Sequence, residues 1–323
     1  QINGVLSWGA TLTLPTVSYI ASQMSLPALP MGTALLSMNK YLIRQRLTEA
    51  GLNVGGEVFE LRDWKDVEEH GYHVPFVVKP CDGSGSKGVR IVKRIEDIHD
   101  AVQYAFDAAR NHEIYVEPFI RGEEYSVEAY AYEGEVYLYS IVKTRFEWKN
   151  DYYPEYTQTT YLGVSDRVEK AIVNEIQKAV KALDISFGPV NFDLIVSDND
   201  TNPYIIDVGI RNGQNLLASH IVPYSRGVDE LDNTINVCLG NPINPAPSKK
   251  DFISSRLLIY RPGKILDIKP FNALICGNGI VDIILHKQVG DVLPRYQTKS
   301  DTCGWVLTKG NTPEEALRFG NDA

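Results

Sequence analysis

The apolar positions of this chain fall into two periods. A spacing of three and four predicts helices. One follows Pro15 with Val17, Ile20, Ala21 and Met24 on a single face, and a second opens at Asn39, a good N-cap, and closes at Gly51. A third spans about 95–110 with Ile98, Val102, Ala105 and Ala109, and a long one spans 166–183 with Ile172, Ile176, Ala179 and Val180 among its apolar residues. Alternation and short β-branched runs predict strands at 5–8, 76–78, 89–92, 114–116, 125–132, 136–142, 190–196 and 204–208. Glu133-Gly134 and the polar turn at 198–202 join the last four strands into two hairpins. A polar helix around 64–70, a helix near 229–239 stopped by Gly240, and short strands in the tail complete the pattern. Thr312-Pro313-Glu314-Glu315 is a capping box with Pro at N1, and it starts a last helix.

This is an α/β (α+β) pattern. Residues 3–27 supply one strand and one helix of a front α/β unit that needs several strands to cover both faces, so an incomplete N-terminal domain with an upstream segment is expected. The domain reading is 1–51 as that remnant with a linking helix, 52–120 as a small α+β lobe, and 121–323 as a larger lobe.

Composition narrows the class. The 323 residues are 44% hydrophobic and 23% charged, which is ordinary for a globular chain. A formal net charge of −9 argues against an extended nucleic-acid surface, and no apolar run approaches membrane-spanning length. Cys81, Cys238, Cys276 and Cys303 are scattered without metal-binding spacing, which reads as reduced, cytoplasmic thiols.

The stretch richest in chemistry is PFVVKPCDGSGSKGVRIV, from Pro75 to Val92. A strand delivers Lys79 at its end, the 82–88 loop packs in Gly83, Gly85 and Gly88, and a second strand leaves. A Rossmann turn would open a helix, and a Walker loop would continue as Gly-Lys-Ser/Thr; neither happens here. What remains is a hairpin tip whose N–H groups can fold over phosphate oxygens beside a countercharge, or an ordinary glycine-rich hairpin with an exposed lysine. Lys40, in the first turn of its helix, is a cation where the macrodipole favours an anion; a bound anion would relieve this, and a solvated lysine would tolerate it.

Asp193 and Asp207 lie on the two strands of one hairpin and can share a face. Two such carboxylates are costly without a cation between them, and Mg²⁺ bridging nucleotide phosphates would suit them. Arg211 follows, able to hold a carboxylate or acyl phosphate, or else to pair with Asp207. Glu117-Pro118-Phe119-Ile120 could present backbone groups to an adenine edge, with Glu124 accepting from ribose hydroxyls; both acids could equally be surface groups. Lys143 and Arg145 offer further positive charge, or a solvated face.

Taken in order, these pieces resemble the ATP-grasp superfamily, which includes biotin carboxylase, carbamoyl-phosphate synthetase, D-alanine–D-alanine ligase and amino-acid ligases. The similarity covers about residues 3–319, and Gly304-Trp305-Val306 with Thr312 to Ala316 resemble the end of the carboxylase and carbamoyl-phosphate branch. The resemblance implies an ATP-grasp fold with ATP and Mg²⁺ (or Mn²⁺) as cofactors. Lys40, Lys79 and the loop residues Ser84, Gly85, Ser86, Lys87 and Gly88 would contact phosphates. Glu117, Pro118, Phe119 and Ile120 would meet adenine, and Glu124 the ribose. Asp193 and Asp207 would hold the metal, and Arg211 with Lys79 would act in catalysis. It departs from the family at Gly209, where Asn is usual, and at Asp207, where Glu is usual. The implied reaction joins a small carboxylate to an amine or thiol through an acyl phosphate, forming ADP. Carbamoyl-phosphate-type kinase chemistry and nucleotide binding without turnover are the alternatives. The implied partners are small molecules, with neither nucleic acid nor membrane, and a homodimer is admitted.

Overall fold

The computed structural model describes residues 2–62, 66–83, 85–150, 153–197, 202–258, 260–271, 275, 279–295 and 301–323. Trp64, Ser84, Cys276 and most of the 198–202 turn lie outside them. In chain order the strands are β1 (Phe59–Leu61), β2 (Phe76–Pro80), β3 (Arg90–Val92), β4 (Ile114–Pro118), β5 (Gly122–Tyr132), β6 (Glu135–Asn150), β7 (Tyr153–Thr160), β8 (Phe187–Ser197), β9 (Pro203–Gly209), β10 (Phe252–Leu257), β11 (Gly263–Lys264), β12 (Ile280–Leu285), β13 (Val292–Leu293) and β14 (Gly304–Gly310). The helices are α1 (Leu14–Gln23), α2 (Met31–Leu36), α3 (Lys40–Glu49), α4 (Asp66–Glu69), α5 (Ile98–Ala108), α6 (Asp166–Ala182), α7 (Val222–Arg226), α8 (Glu230–Cys238) and α9 (Pro313–Asp322). They divide into two compact units. The first is Gln1–Leu138 with Ser165–Asn215 and Leu231–Pro245; the second is Tyr139–Val164 with Leu216–Glu230 and Ala246–Ala323.

In the first unit, β1, β4, β2 and β3 form an antiparallel sheet in that order. Its apolar face carries Phe76, Val78 and Val116 in one buried core with Ile98, Ala101 and Ala105 of α5. The predicted period of α5 therefore selects its buried face correctly. β5, β8 and β9 form an antiparallel set with Asp193 directly opposite Asp207 and Glu128 directly opposite Asn191. Residues opposite each other in a ladder project from the same face, so the shared face expected for the two aspartates is present. α3 begins where predicted: the Asn39 side chain accepts from Leu42 N–H at 3.1 Å, and Gly51 follows with φ +72°.

The front of the chain differs from expectation. Residues 5–8 form no strand, because no neighbouring strand offers them a ladder, and no described residue before Phe59 is in a sheet. α1 forms, but it buries Leu14, Ser18 and Ala21, while Ile20 and Met24 on the predicted face are exposed. Helix α2 went unpredicted because its six residues are too few to show a period.

In the second unit the strand order is β12, β14, β10, β7, β6. β7 escaped the sequence reading because it has no apolar alternation. Tyr156, Thr157, Gln158, Thr159 and Thr160 are all buried, and Thr159 and Ser254 share a side-chain hydrogen bond of 2.9 Å. Tyr156 and Trp305 meet edge-on at 5.5 Å in a core with Val142, Ile253 and Leu307. α9 starts as predicted, with Thr312 Oγ1 accepting from Glu315 N–H and Glu315 accepting from Asn311 N–H.

Candidate functional site

Charged residues gather inside the first unit, between α3 and the strands of both its sheets. α3 contributes Lys40 and, one turn on, Arg44. Its start is tied down by Lys40 N–H donating to Cys81 C=O at 2.7 Å, just beyond the end of β2. The Lys40 ammonium contacts the Asp207 carboxylate directly. The cation at the helix N-terminus is thus explained by an acid brought from 167 residues away.

Lys79 and Glu117 stand on neighbouring strands β2 and β4, where Val77 is opposite Glu117, and they form a direct ion pair. Arg44 reaches the same carboxylate at 3.6 Å. Glu117 is 3% exposed, and its Oε2 makes no hydrogen bond among the described residues, so an acceptor is left over. The Glu117 side chain is thus ion-paired with both Lys79 and Arg44, with Oε2 short of a hydrogen bond. Pro118 and Ile120 lean on a glycine turn: a Cβ at Gly55 would lie 2.3 Å from Ile120 Cδ1, and one at Gly56 would lie 2.9 Å from Pro118 Cγ. Both glycines have positive φ, +82° and +131°, so no other residue type serves there. Glu124 is exposed, two residues along β5 from Ser126, and Ser126 is opposite Asp193.

The glycine loop divides into base and tip. A Cβ at Gly83 would strike Pro80 at 2.5 Å and one at Gly88 would strike Ala108 at 2.6 Å, whereas Gly85 meets nothing. The outer glycines permit close packing; Gly85, with Ser86 in the same left-handed conformation, forms the open tip. Asp82 anchors the base by accepting from Arg110 N–H and Asn111 N–H, each at 3.0 Å. Lys143 and Arg145 lie on β6, in the second unit.

Asp193 and Asp207 are electrostatically unlike despite facing each other. Burial first, then the Asp207 and Glu124 charges, push the Asp193 carboxyl up to about 6. Burial acts on Asp207 too, but Lys40, supported by Lys79 and Arg211, outweighs it and holds that carboxyl below its usual range. Two opposed carboxylates, one resisting ionisation, suit a hard divalent cation that keeps most of its waters. Among the described residues no group of three or more His, Cys, Asp or Glu side chains is gathered around one point, so a closed protein cage is not what these acids form.

The Asp193 shift has a measurable consequence. Its folded value near 6 exceeds the ordinary 3.8, so its contribution to stability is intact below about pH 4 and is lost as pH rises through 6. In metal-free buffer the Asp193→Asn variant should gain on the parent by about 2 kcal/mol between pH 4.5 and 7.5. Urea unfolding of both proteins at several pH values measures this; a difference that stays flat with pH would contradict it.

Residues 72–217, which carry Lys79, Glu117, Asp193, Asp207 and Arg211, match the ATP-grasp domain. Residues 72–217 are an ATP-grasp domain. Residues 256–323 match L-amino acid ligase C-terminal domain 2, which gives the tail a relative other than the carboxylase branch it resembles in sequence. An uncharacterized protein of Sinorhizobium fredii is 25% identical over 95% of this chain and 64% of its own length. Dapdiamide A synthase of Enterobacter agglomerans is 24% identical over 84% of this chain and 65% of its own length. The chain thus spans somewhat under two thirds of these curated relatives. The crystal structure of L-amino acid ligase from Bacillus licheniformis superposes with a TM-score of 0.79 at 25% identity, covering 99% of this chain and 78% of that one.

Beside the ATP-grasp domain the structure adds one residue that the sequence pattern does not single out. Arg44 is fully buried and donates to Ile205 C=O and Val54 C=O. Its spacing of four from Lys40 was the available clue. Arg211, expected to hold a carboxylate or acyl phosphate or else to pair with Asp207, donates to Asn212 C=O at 3.0 Å and lies 3.5 Å from Asn191 Oδ1. Its guanidinium fills the space beside Gly209, where a Cβ would lie 3.0 to 3.3 Å from Cζ, Nη2 and Nε. No helix among the described residues is long and apolar enough to cross a membrane.

Proposed function

We propose that this protein is an ATP-dependent carboxylate–amine ligase that joins amino acids and releases ADP. The observation that carries the reading is the cluster of Asp207, Asp193 and Lys79, all within the ATP-grasp match, with Lys40 of α3 paired to Asp207. The amino-acid class is supported by the match to L-amino acid ligase C-terminal domain 2 and by the similar structure of L-amino acid ligase from Bacillus licheniformis.

In this reading a substrate carboxylate oxygen attacks the γ-phosphorus of ATP and ADP departs. An amine nitrogen then attacks the acyl carbon, loses a proton, and phosphate leaves. Lys40 and Lys79 bind phosphate oxygens, and the 82–88 loop folds over them. Arg211 faces the acyl phosphate. Asp193 and Asp207 would hold Mg²⁺, whose chemistry is to neutralise phosphate charge. The chain itself forms no covalent bond; it orients reactants and stabilises charge. Cys81, Cys238 and Cys303 are unpaired, and burial raises the Cys81 thiol to about 12, which supports inert thiols in the cytoplasm.

The test is an ADP-release screen on the full-length protein over pairs of amino acids and other small carboxylates with amines. ADP formed only with a matched pair supports the ligase. ADP formed with carbamate alone would point to kinase chemistry, and tight ATP binding without ADP from any pair would mean binding without turnover.

Lys79→Met should weaken ATP binding by roughly 10- to 100-fold, the scale of about 1.5–3 kcal/mol for a hydrogen bond to a charged group. The fold should survive, because Arg44 still faces Glu117. Calorimetric titration with an ATP analogue decides it; unchanged affinity would remove Lys79 from the phosphate site.

A further inference from the structure

We propose that Glu128 is a positioning residue that sets the Arg211 guanidinium through Asn191 and the 211–213 turn. This rests on the reading of Arg211 as the group facing the acyl phosphate.

Glu128 is 0% exposed in the middle of β5, between Val127 and Ala129. An ionisable acid at such a depth is costly unless its oxygens are engaged, and an apolar residue would pack there without that cost. Glu128 Oε1 accepts from Gly213 N–H at 2.6 Å, and Oε2 accepts from the Asn191 amide nitrogen at 3.0 Å. One carboxylate therefore holds both the turn just after Arg211 and the side chain that Arg211 approaches.

Asn191 is the centre of this arrangement. It lies opposite Glu128 on one side and opposite Gly209 on the other. Its amide nitrogen also donates towards Ser126 Oγ at 3.0 Å and Val127 C=O at 3.4 Å. Val127 C=O and the carboxylate can only accept, so the Asn191 nitrogen must face them and its oxygen must face Arg211, which can only donate. Because Gly209 has no side chain, the guanidinium can lie over that position and come within 3.5 Å of Asn191 Oδ1. Asn212 adds a second tether by accepting from Gly9 N–H at 2.7 Å.

The donor and acceptor order gives a test with an inversion of sign. Glu128→Gln places an amide nitrogen against the Asn191 nitrogen, and relieving that clash turns the Asn191 oxygen away from Arg211. Asn191→Asp instead sets two carboxylates against each other. Glu128→Gln combined with Asn191→Asp restores a donor facing an acceptor between the two side chains, keeps acceptors facing Gly213 N–H and Arg211, and conserves the total charge, leaving only the 3.4 Å approach to Val127 C=O without its donor. Each single variant should lower kcat for ADP formation by about 10- to 100-fold, the scale of a misplaced catalytic group, with ATP affinity little changed. Each should also speed amide exchange in the peptide spanning 209–214. The double variant should recover most of both. Exchange indifferent to the single changes, a double variant no better than the worse single, or exchange that responds while kcat does not would each overturn the proposal. If the parent shows no turnover with any pair, the ligase reading fails, and amide exchange alone then decides the relay.

Discussion

Replacing Arg44 by methionine should cost about 3–5 kcal/mol of stability, the penalty for breaking a buried ion pair from one side. Arg44 is 1% exposed and donates to two backbone carbonyls, Ile205 on β9 and Val54 ahead of β1, while facing Glu117 on β4. It therefore ties α3 to both sheets of the first unit. Methionine fills the volume but leaves two carbonyls without this donor and Glu117 with Lys79 alone. Arg44→Lys should recover only part of the loss, because an ammonium on a flexible stem cannot reproduce the planar fork that meets both carbonyls. Lys40→Met is the contrast: its side chain is 23% exposed and its Asp207 partner 31%, against 2% and 4% for Arg44 and Glu117, so it should cost less than Arg44→Met. Urea unfolding of the three variants measures the ranking. A loss below about 1 kcal/mol for Arg44→Met would show that the network is held by other contacts.

Gly209→Asn should lower turnover by about 10²- to 10³-fold, the range seen when a group stabilising transition-state charge is lost. From sequence alone the opposite is expected: restoring the asparagine usual in the family should complete a metal shell, strengthen a weak second Mg²⁺ and raise turnover. The structure changes the expectation because the site beside Gly209 is taken. A Cβ there lies 3.0 Å from Arg211 Cζ and 3.2 Å from Nη2, so the larger asparagine drives the guanidinium from its place. Metal affinity and turnover should then separate. Mn²⁺ binding, followed by electron paramagnetic resonance in the presence of an ATP analogue, should strengthen at the second position while kcat falls. Higher kcat in the variant would show that Arg211 relocates at no cost and that the missing ligand was the handicap.

The sequence carried those features that depend on near neighbours along the chain. Asn39 and Gly51 delimit α3, and Thr312 with Glu315 opens α9, because capping is settled within one turn. The shared face of Asp193 and Asp207 was legible because a hairpin with alternating side chains constrains which positions can meet. The glycine loop was legible as a pattern, but not its division into packed base and open tip, since Pro80 and Ala108 are unrelated to it by any local rule.

Features that depend on the partner face were decided only by the tertiary structure. The strand expected at 5–8 is absent, because strand propensity without a neighbouring strand leaves backbone groups nothing to pair with. β7 is a strand although its pattern is polar, because its threonines and Gln158 lie in a covered sheet where Ser254 and its neighbours meet them. Lys40 finds Asp207, Lys79 and Arg44 share Glu117, and Arg211 takes the place beside Gly209. The pattern along the chain marks these charges as candidates but gives none of them the partner it has in the structure. Folding brings them from four separate segments into a poorly solvated space, and there each must find its opposite.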